Sequence, residues 1–371
     1  MKLHGIRVLD LSSFLPGPYL SLQMADHGAE VIKIEQPGEG DAGRHIGLSD
    51  GPHTVFFRNL NRGKKSVVLD LKNAADREAL LALVDTADVF IESSRPGVAA
   101  RLGIDYVTLS ARNLGLVYCS ISAFGQSGPY RTRPAHDLAL EAYAGALSLN
   151  VGTDGAPAIP GLPVADLLAG LQGLSGVLMA LLRRRDTGQG DHVDIGMLDC
   201  MVAALRNVTG PTFAEGRQPD PRLERTTGGS AFYRLYATQD GGHIALAGQE
   251  PKFIHALLGT LGRPDLAEPC LRGPGAHQHP VMEFLEATFR QATRAQWQER
   301  LAGLDVCYGP VNTLPEAFQD PQVLARGMVL RDGDGHPHIA SPIRFLQEPA
   351  TYDFAVPALD QHRSLIAGLR D

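Results

Sequence analysis

The feature that most constrains the fold is an alternation in the first third of the chain. Short apolar runs at residues 6–11, 31–34, 67–71, 88–92 and 116–121 are separated by stretches with helical spacing, notably 16–27 and 74–86. Strands separated by helices of that length return by crossovers and lie parallel, rather than pairing as hairpins. Gly28 follows the first helical stretch, where a residue able to take positive φ ends a helix cheaply. An α/β domain with a mostly parallel, Rossmann-like sheet is expected.

Two longer helical patterns follow, at 138–149 and 164–185. Residues 214–227 are polar, contain Gly216, Pro219 and Pro221, and read as a linker. Beyond them, alternating runs at 232–236 and 243–247 flank Gln239-Asp-Gly-Gly242, a plausible hairpin turn. Amphipathic helices are expected at 252–262 and 281–301, and short strands in the last part of the chain. No internal repeat and no low-complexity tract interrupts this order.

With 371 residues, 44% hydrophobic and 20% charged, the chain has the balance of a globular protein of about two domains. A net charge of −7 argues against non-specific nucleic-acid binding as its task. Cys119, Cys200, Cys270 and Cys307 are isolated, with neither a CxxC pair nor a zinc-ligand spacing, so no metal site and no redox dithiol is signalled. A reduced, cytoplasmic protein is expected, since no signal-peptide core follows Met1-Lys2. The apolar stretch 167–182 contains Gln172 and three glycines, falls short of the ~20 residues of a membrane span, and reads as a buried helix ended by Arg183-Arg184-Arg185.

Three segments carry candidate chemistry: Pro134-Ala-His136-Asp137, Val164-Ala-Asp166 and Gly248-Gln-Glu250-Pro251. His136 precedes a helical stretch, where positive backbone potential favours a neutral imidazole able to act as a base. Asp137 is either a nucleophile or a helix cap. Asp166 lies in an apolar setting at a helix start, so it is either a cap or a carboxyl held protonated as an acid. Glu250 either starts a helix or orients an imidazole. Such a set suits proton exchange beside a carbonyl, and equally an acyl anhydride on an aspartate. No G-x-S-x-G elbow, G-x-G-x-x-G fingerprint or P-loop occurs. Residues Asn61-Arg-Gly-Lys64-Lys65 with Leu69-Asp-Leu-Lys72, joined by Arg95 and Arg101, form either a solvated basic turn or a phosphate contact.

These pieces, with Gly5-Ile-Arg-Val-Leu-Asp10, Pro16-Gly-Pro18, residues 28–35, Arg95-Pro-Gly97, Arg101-Leu-Gly103, Gly125-Gln-Ser-Gly-Pro129, Thr187-Gly-Gln-Gly190 and Gly309-Pro-Val311, resemble the class III CoA-transferase (CaiB/BaiF) superfamily along essentially the whole chain. The resemblance implies a large α/β domain built from both chain ends, a smaller central α+β domain and an interlocked homodimer. The expected division is 1–213 for the first part of the large domain, 214–227 for the linker, 228–325 for the small domain and 326–371 for the return. By position, Leu69, Asp70, Leu71, Lys72, Ser93, Ser94, Arg95 and Arg101 resemble the CoA-contacting segments, and Gln36 stands where many members carry an arginine.

Two chemistries are implied. His136 before Asp137, Asp166 and Glu250 resemble the alpha-methylacyl-CoA racemases, in which His136 and Asp166 would exchange a proton at the α-carbon while Glu250 held the imidazole. The stretch Glu141-Ala-Tyr-Ala-Gly145 resembles instead the CoA-transferases, in which Asp137 would be the nucleophile. The racemase resemblance leads. The implied substrate is an acyl-CoA thioester, with no cofactor beyond CoA itself, no metal, no nucleic acid and no membrane. A non-enzymatic CoA-binding role would keep the basic contacts and dispense with the carboxylates.

Overall fold

A computed structural model describes residues 1–152 and 154–367. The chain forms two compact units. The first comprises residues 1–144, 161–203 and the described residues from 321 onward. Its sheet has six parallel strands: β1 (Arg7–Asp10), β2 (Glu30–Glu35), β3 (Lys65–Val68), β4 (Val89–Glu92), β5 (Val117–Ser122) and β6 (His192–Gly196). Their order is β3-β2-β1-β4-β5-β6. The five expected strands are present. The sixth was missed because its sequence, His-Val-Asp-Ile-Gly, is an edge strand with only two large apolar residues.

The order reverses direction between β1 and β4, and in such sheets the crevice at the carboxyl ends of those two strands is where ligands bind. Helices α1 (Pro16–Asp26) and α2 (Ala74–Val84) follow β1 and β3. Two more, α3 (Asp137–Ala144) and α4 (Val164–Thr187), bring the candidate residues. At 24 residues α4 is longer than expected, and by length and composition it is apolar enough to cross a membrane. Its glycines face the rest of this unit instead. A Cβ on Gly170 would lie 2.7 Å from the Pro16 carbonyl, and one on Gly176 would lie 2.6 Å from the Val193 side chain.

Both ends of the chain build this unit. Edge strand β3 would present unpaired N–H groups. The C-terminal segment covers them: Val68 N–H donates to Asp360 Oδ1 (2.8 Å) and Ser66 N–H to His362 Nδ1 (3.1 Å).

The second unit, residues 145–160 and 204–320, is α+β. Strands β7 (Arg234–Ala237), β8 (His243–Leu246) and β9 (Tyr308–Pro310) form an antiparallel sheet in the order β9-β8-β7. Its helices include α5 (Pro251–Thr260), α6 (His279–Phe289) and α7 (Arg294–Leu301). The single helix expected at 281–301 is two helices, because Thr293 and Gln296 form a reciprocal capping box that starts α7 afresh. Residues 214–227, expected as a linker, lie within this unit, where Arg217 pairs with both Glu215 (2.6 Å) and Glu224 (2.8 Å).

Candidate active site

Two cavities open at the carboxyl ends of the first unit's strands. The larger, about 610 Å³, is lined by Leu69, Asp70, Leu71, Lys72 and Ser94, and by Gln36. The smaller, about 300 Å³, is lined by Ser93, Ser94, Arg95, Arg133, His136 and Asp166. Ser13, Phe14 and Ser94 belong to both walls. The segments after β1 and β4 therefore join the two spaces at the point where the strand order reverses. Of the expected CoA-contacting residues only Arg101 lines neither cavity; it is exposed on the short helix Val98–Leu102.

The basic stretch at 61–65 is not the phosphate contact its sequence suggests. Arg62 is buried against Asp26 (2.7 Å) and Lys64 against Asp10 (3.1 Å), so neither is a free phosphate contact. Their work is structural. Burial pushes the Asp10 carboxyl up, but Lys64, Lys33 and the hydroxyls of Ser12 and Ser21 outweigh it and hold the group well below the carboxylate range. Lys33 Nζ in turn donates to the Ser12 carbonyl (2.9 Å) and pairs with Asp41 (2.6 Å). Strand β1 and the loop at 11–14 are thereby tied together under both cavities.

The carboxylates of α3 cap α4. Helix α4 follows Pro163, which offers no side-chain acceptor for its first N–H groups. Asp137 Oδ1 accepts from Ala165 N–H (2.8 Å) and Asp166 N–H (3.3 Å), and Glu141 Oε1 accepts from Val164 N–H (3.3 Å). Asp137 thus acts as a helix cap, but on a neighbouring helix. Its carboxylate lies at a concentration of positive backbone potential. Asp166 is in the first turn of α4. Burial, then the nearby Asp137 charge, raises its carboxyl to about 6, against a smaller opposing effect of His136. His136 is exposed, with its ring in a T-shaped contact with Phe14 at 5.8 Å between centroids. Arg133 stacks on the Tyr130 ring at 3.8 Å. Neither Arg133 nor Arg95 has a carboxylate within ion-pair distance among the described residues.

The structure thus brings His136, Asp137 and Asp166 together. Glu250 belongs to the second unit, where it precedes α5 as an exposed residue with no side-chain cap bond. Two residues of the site were not singled out in the sequence. Glu92 ends β4 on the wall of the larger cavity, and its Oε2 accepts from Ser94 N–H (2.7 Å). Burial raises it to about 7, only partly offset by hydrogen bonds from the Ser94 backbone and side chain and reinforced by Asp194. Phe14 was missed because nothing in its flanking residues signals its backbone conformation.

The family model for CoA-transferase family III matches residues 3–363. The chain belongs to that family. Among its relatives, the succinate–glutarate CoA-transferase of Agrobacterium fabrum is 33% identical over 98% of this chain and 94% of that protein. The acetyl-CoA:oxalate CoA-transferase of Acetobacter aceti is 34% identical over 89% of this chain and 85% of that protein. A CaiB/BaiF family protein from Brucella suis has the same fold, with a TM-score of 0.85 and 33% identity over 100% of this chain and 99% of that one. These findings reverse the expected order of the two chemistries. The family member is an enzyme whose relatives are named CoA-transferases, and the racemase branch is not singled out.

Proposed function

We propose that this family III member transfers CoA between carboxylic acids, with short dicarboxylic acids as its substrate class, through a covalent intermediate on Asp137. The observation that carries the reading is that relatives matching most of the chain are named for CoA transfer to and from succinate, glutarate and oxalate. The geometry supports it. Asp137 would attack the thioester carbonyl of the donor, giving a mixed anhydride and CoA thiolate. The thiolate then attacks the Asp137 carbonyl, forming an aspartyl thioester and releasing the donor acid. An acceptor carboxylate attacks that thioester, the thiolate leaves, and it returns to the acceptor carbonyl, regenerating Asp137. In both steps at the Asp137 carbonyl, Oδ1 gains negative charge between the N–H groups of Ala165 and Asp166 that already hold it. Donors placed before charge develops are a large source of rate acceleration. Arg95 and Arg133, with no carboxylate partner among the described residues, give the smaller cavity a charge that suits acids.

The larger cavity would take the nucleotide part of CoA beside Lys72, with Gln36 offering a weaker phosphate contact than an arginine. The working unit would be the homodimer that the family resemblance implies. A second reading keeps one specific support: His136 and Asp166 line the same small cavity, and Asp166 is raised enough to act as an acid. That arrangement suits exchange of a proton at an acyl α-carbon.

The discriminating experiment supplies succinyl-CoA with glutarate and follows new thioester by mass. Transfer is expected, and Asp137→Ala should abolish it, while hydroxylamine should trap the aspartyl intermediate on the peptide containing Asp137. A chiral 2-methylacyl-CoA in D₂O without acceptor is the companion assay. Deuterium gain there, with no transfer to any acid, would replace CoA transfer by racemisation.

A further inference from the structure

Phe14 combines several features with no explanation in the core. It is one of two non-glycine residues with positive φ among the described residues, at 64°. A bulky side chain rarely adopts that conformation, and such strain persists only where surrounding contacts impose it, often at binding sites. The two residues that precede it are fixed. Ser12 is bound to Asp10 and Lys33, and Ser13 N–H donates to Ser93 Oγ (3.2 Å). The ring itself is not packed away, being 44% exposed. It projects where the two cavities meet, lining both, in a T-shaped contact with the His136 imidazole.

A CoA thioester with its nucleotide in the larger cavity and its carbonyl near Asp137 has to pass this ring. The acyl group beyond that carbonyl then lies in the smaller cavity that Phe14 lines, with the α-carbon as its first atom past the carbonyl. We propose that Phe14 is a specificity-determining residue that admits straight-chain acyl groups and excludes those branched at the α-carbon. The inference rests on the CoA-transfer reading only in where it places the thioester carbonyl. Its physical basis is excluded volume: the strained backbone holds the ring in the path, and the tied loop leaves it no retreat.

The test uses two isomers, butyryl-CoA and 2-methylpropionyl-CoA, which differ only in α-branching. Their Kd values are measured by calorimetry on Asp137→Asn protein, so that no turnover intervenes, with and without Phe14→Gly. Glycine adopts a φ of 64° without strain. Phe14→Asn, which also tolerates the left-handed region, is the second variant if glycine loosens the loop. A preference of about tenfold or more for the straight isomer is expected with Phe14 present, the scale of one misplaced methyl group in a packed site. Both variants should reduce it to within about twofold. Equal affinities with Phe14 present, or a preference that survives both variants, overturn the proposal. Because this experiment reads binding alone, its failure is distinct from a failure of CoA transfer, which the succinyl-CoA and glutarate assay reports on unsubstituted protein.

Discussion

Glu92 and Asp10 end adjacent strands of one sheet, both nearly inaccessible, and burial acts on them with opposite outcomes. Asp10 has Lys64 and Lys33 beside it and stays ionised. Glu92 has no cation beside it among the described residues, only hydrogen bonds from Ser94, and is raised from 4.5 to about 7. For an acid raised in the folded state, the cost is absent below the unfolded value, grows as pH rises through 4.5 to 7, and is full above that window. At 1.36 kcal/mol per pH unit it amounts to about 3 kcal/mol. Glu92→Gln should therefore melt at higher temperature than the parent at pH 8, with the gain shrinking toward zero near pH 4. Thermal scans at the two pH values check this, and an equal difference at both would contradict it.

At the scale of elements, the site is the meeting of three helix and strand ends. Helix α4 lies close to α1 because Gly170 and Gly173 leave room for the Pro16 carbonyl and the Leu20 side chain. The same helix presents Asp166 and receives the Asp137 carboxylate, while α1 continues the loop that carries Phe14. Gly170→Val would set a side chain against a backbone carbonyl that cannot move alone. A destabilisation of about 1–3 kcal/mol is expected, with a weaker Kd for succinyl-CoA in parallel. Gly259→Ala in α5 is the control, since an added Cβ there meets nothing within 4 Å. It should stabilise by about 0.5–1 kcal/mol through the chain's lost freedom when unfolded. Denaturant midpoints measure both, and a Gly170→Val protein as stable as the parent would remove α1–α4 contact as the organiser of the site.

For the whole molecule, chain order and unit membership diverge. The first unit takes residues from the beginning, the middle and the end of the chain, and β3 is completed only by the segment around Asp360 and His362. A homodimer in which two chains interlock would not separate by dilution, because unthreading requires unfolding. Light scattering should then report the mass of two chains at every concentration, down to the detection limit. Loss of that mass on dilution, with the fold intact by circular dichroism, would argue for a simple face-to-face or monomeric protein.

The parallel sheet and its helices were legible in the sequence because apolar period and helix-ending glycines such as Gly28 act locally, and Gly28 does take a φ of 101°. His136, Asp137 and Asp166 stood out in the sequence as candidates too, since each stands at a helix start where polar residues in apolar surroundings are conspicuous. The tertiary structure alone decided what those groups are. It gave Asp137 to the N-terminus of another helix, withdrew Arg62 and Lys64 into buried pairs, raised Glu92 and turned Phe14 into the space between two cavities. Charge state and accessibility depend on neighbours distant in the chain, and those are fixed only when the sheet brings its strand ends together.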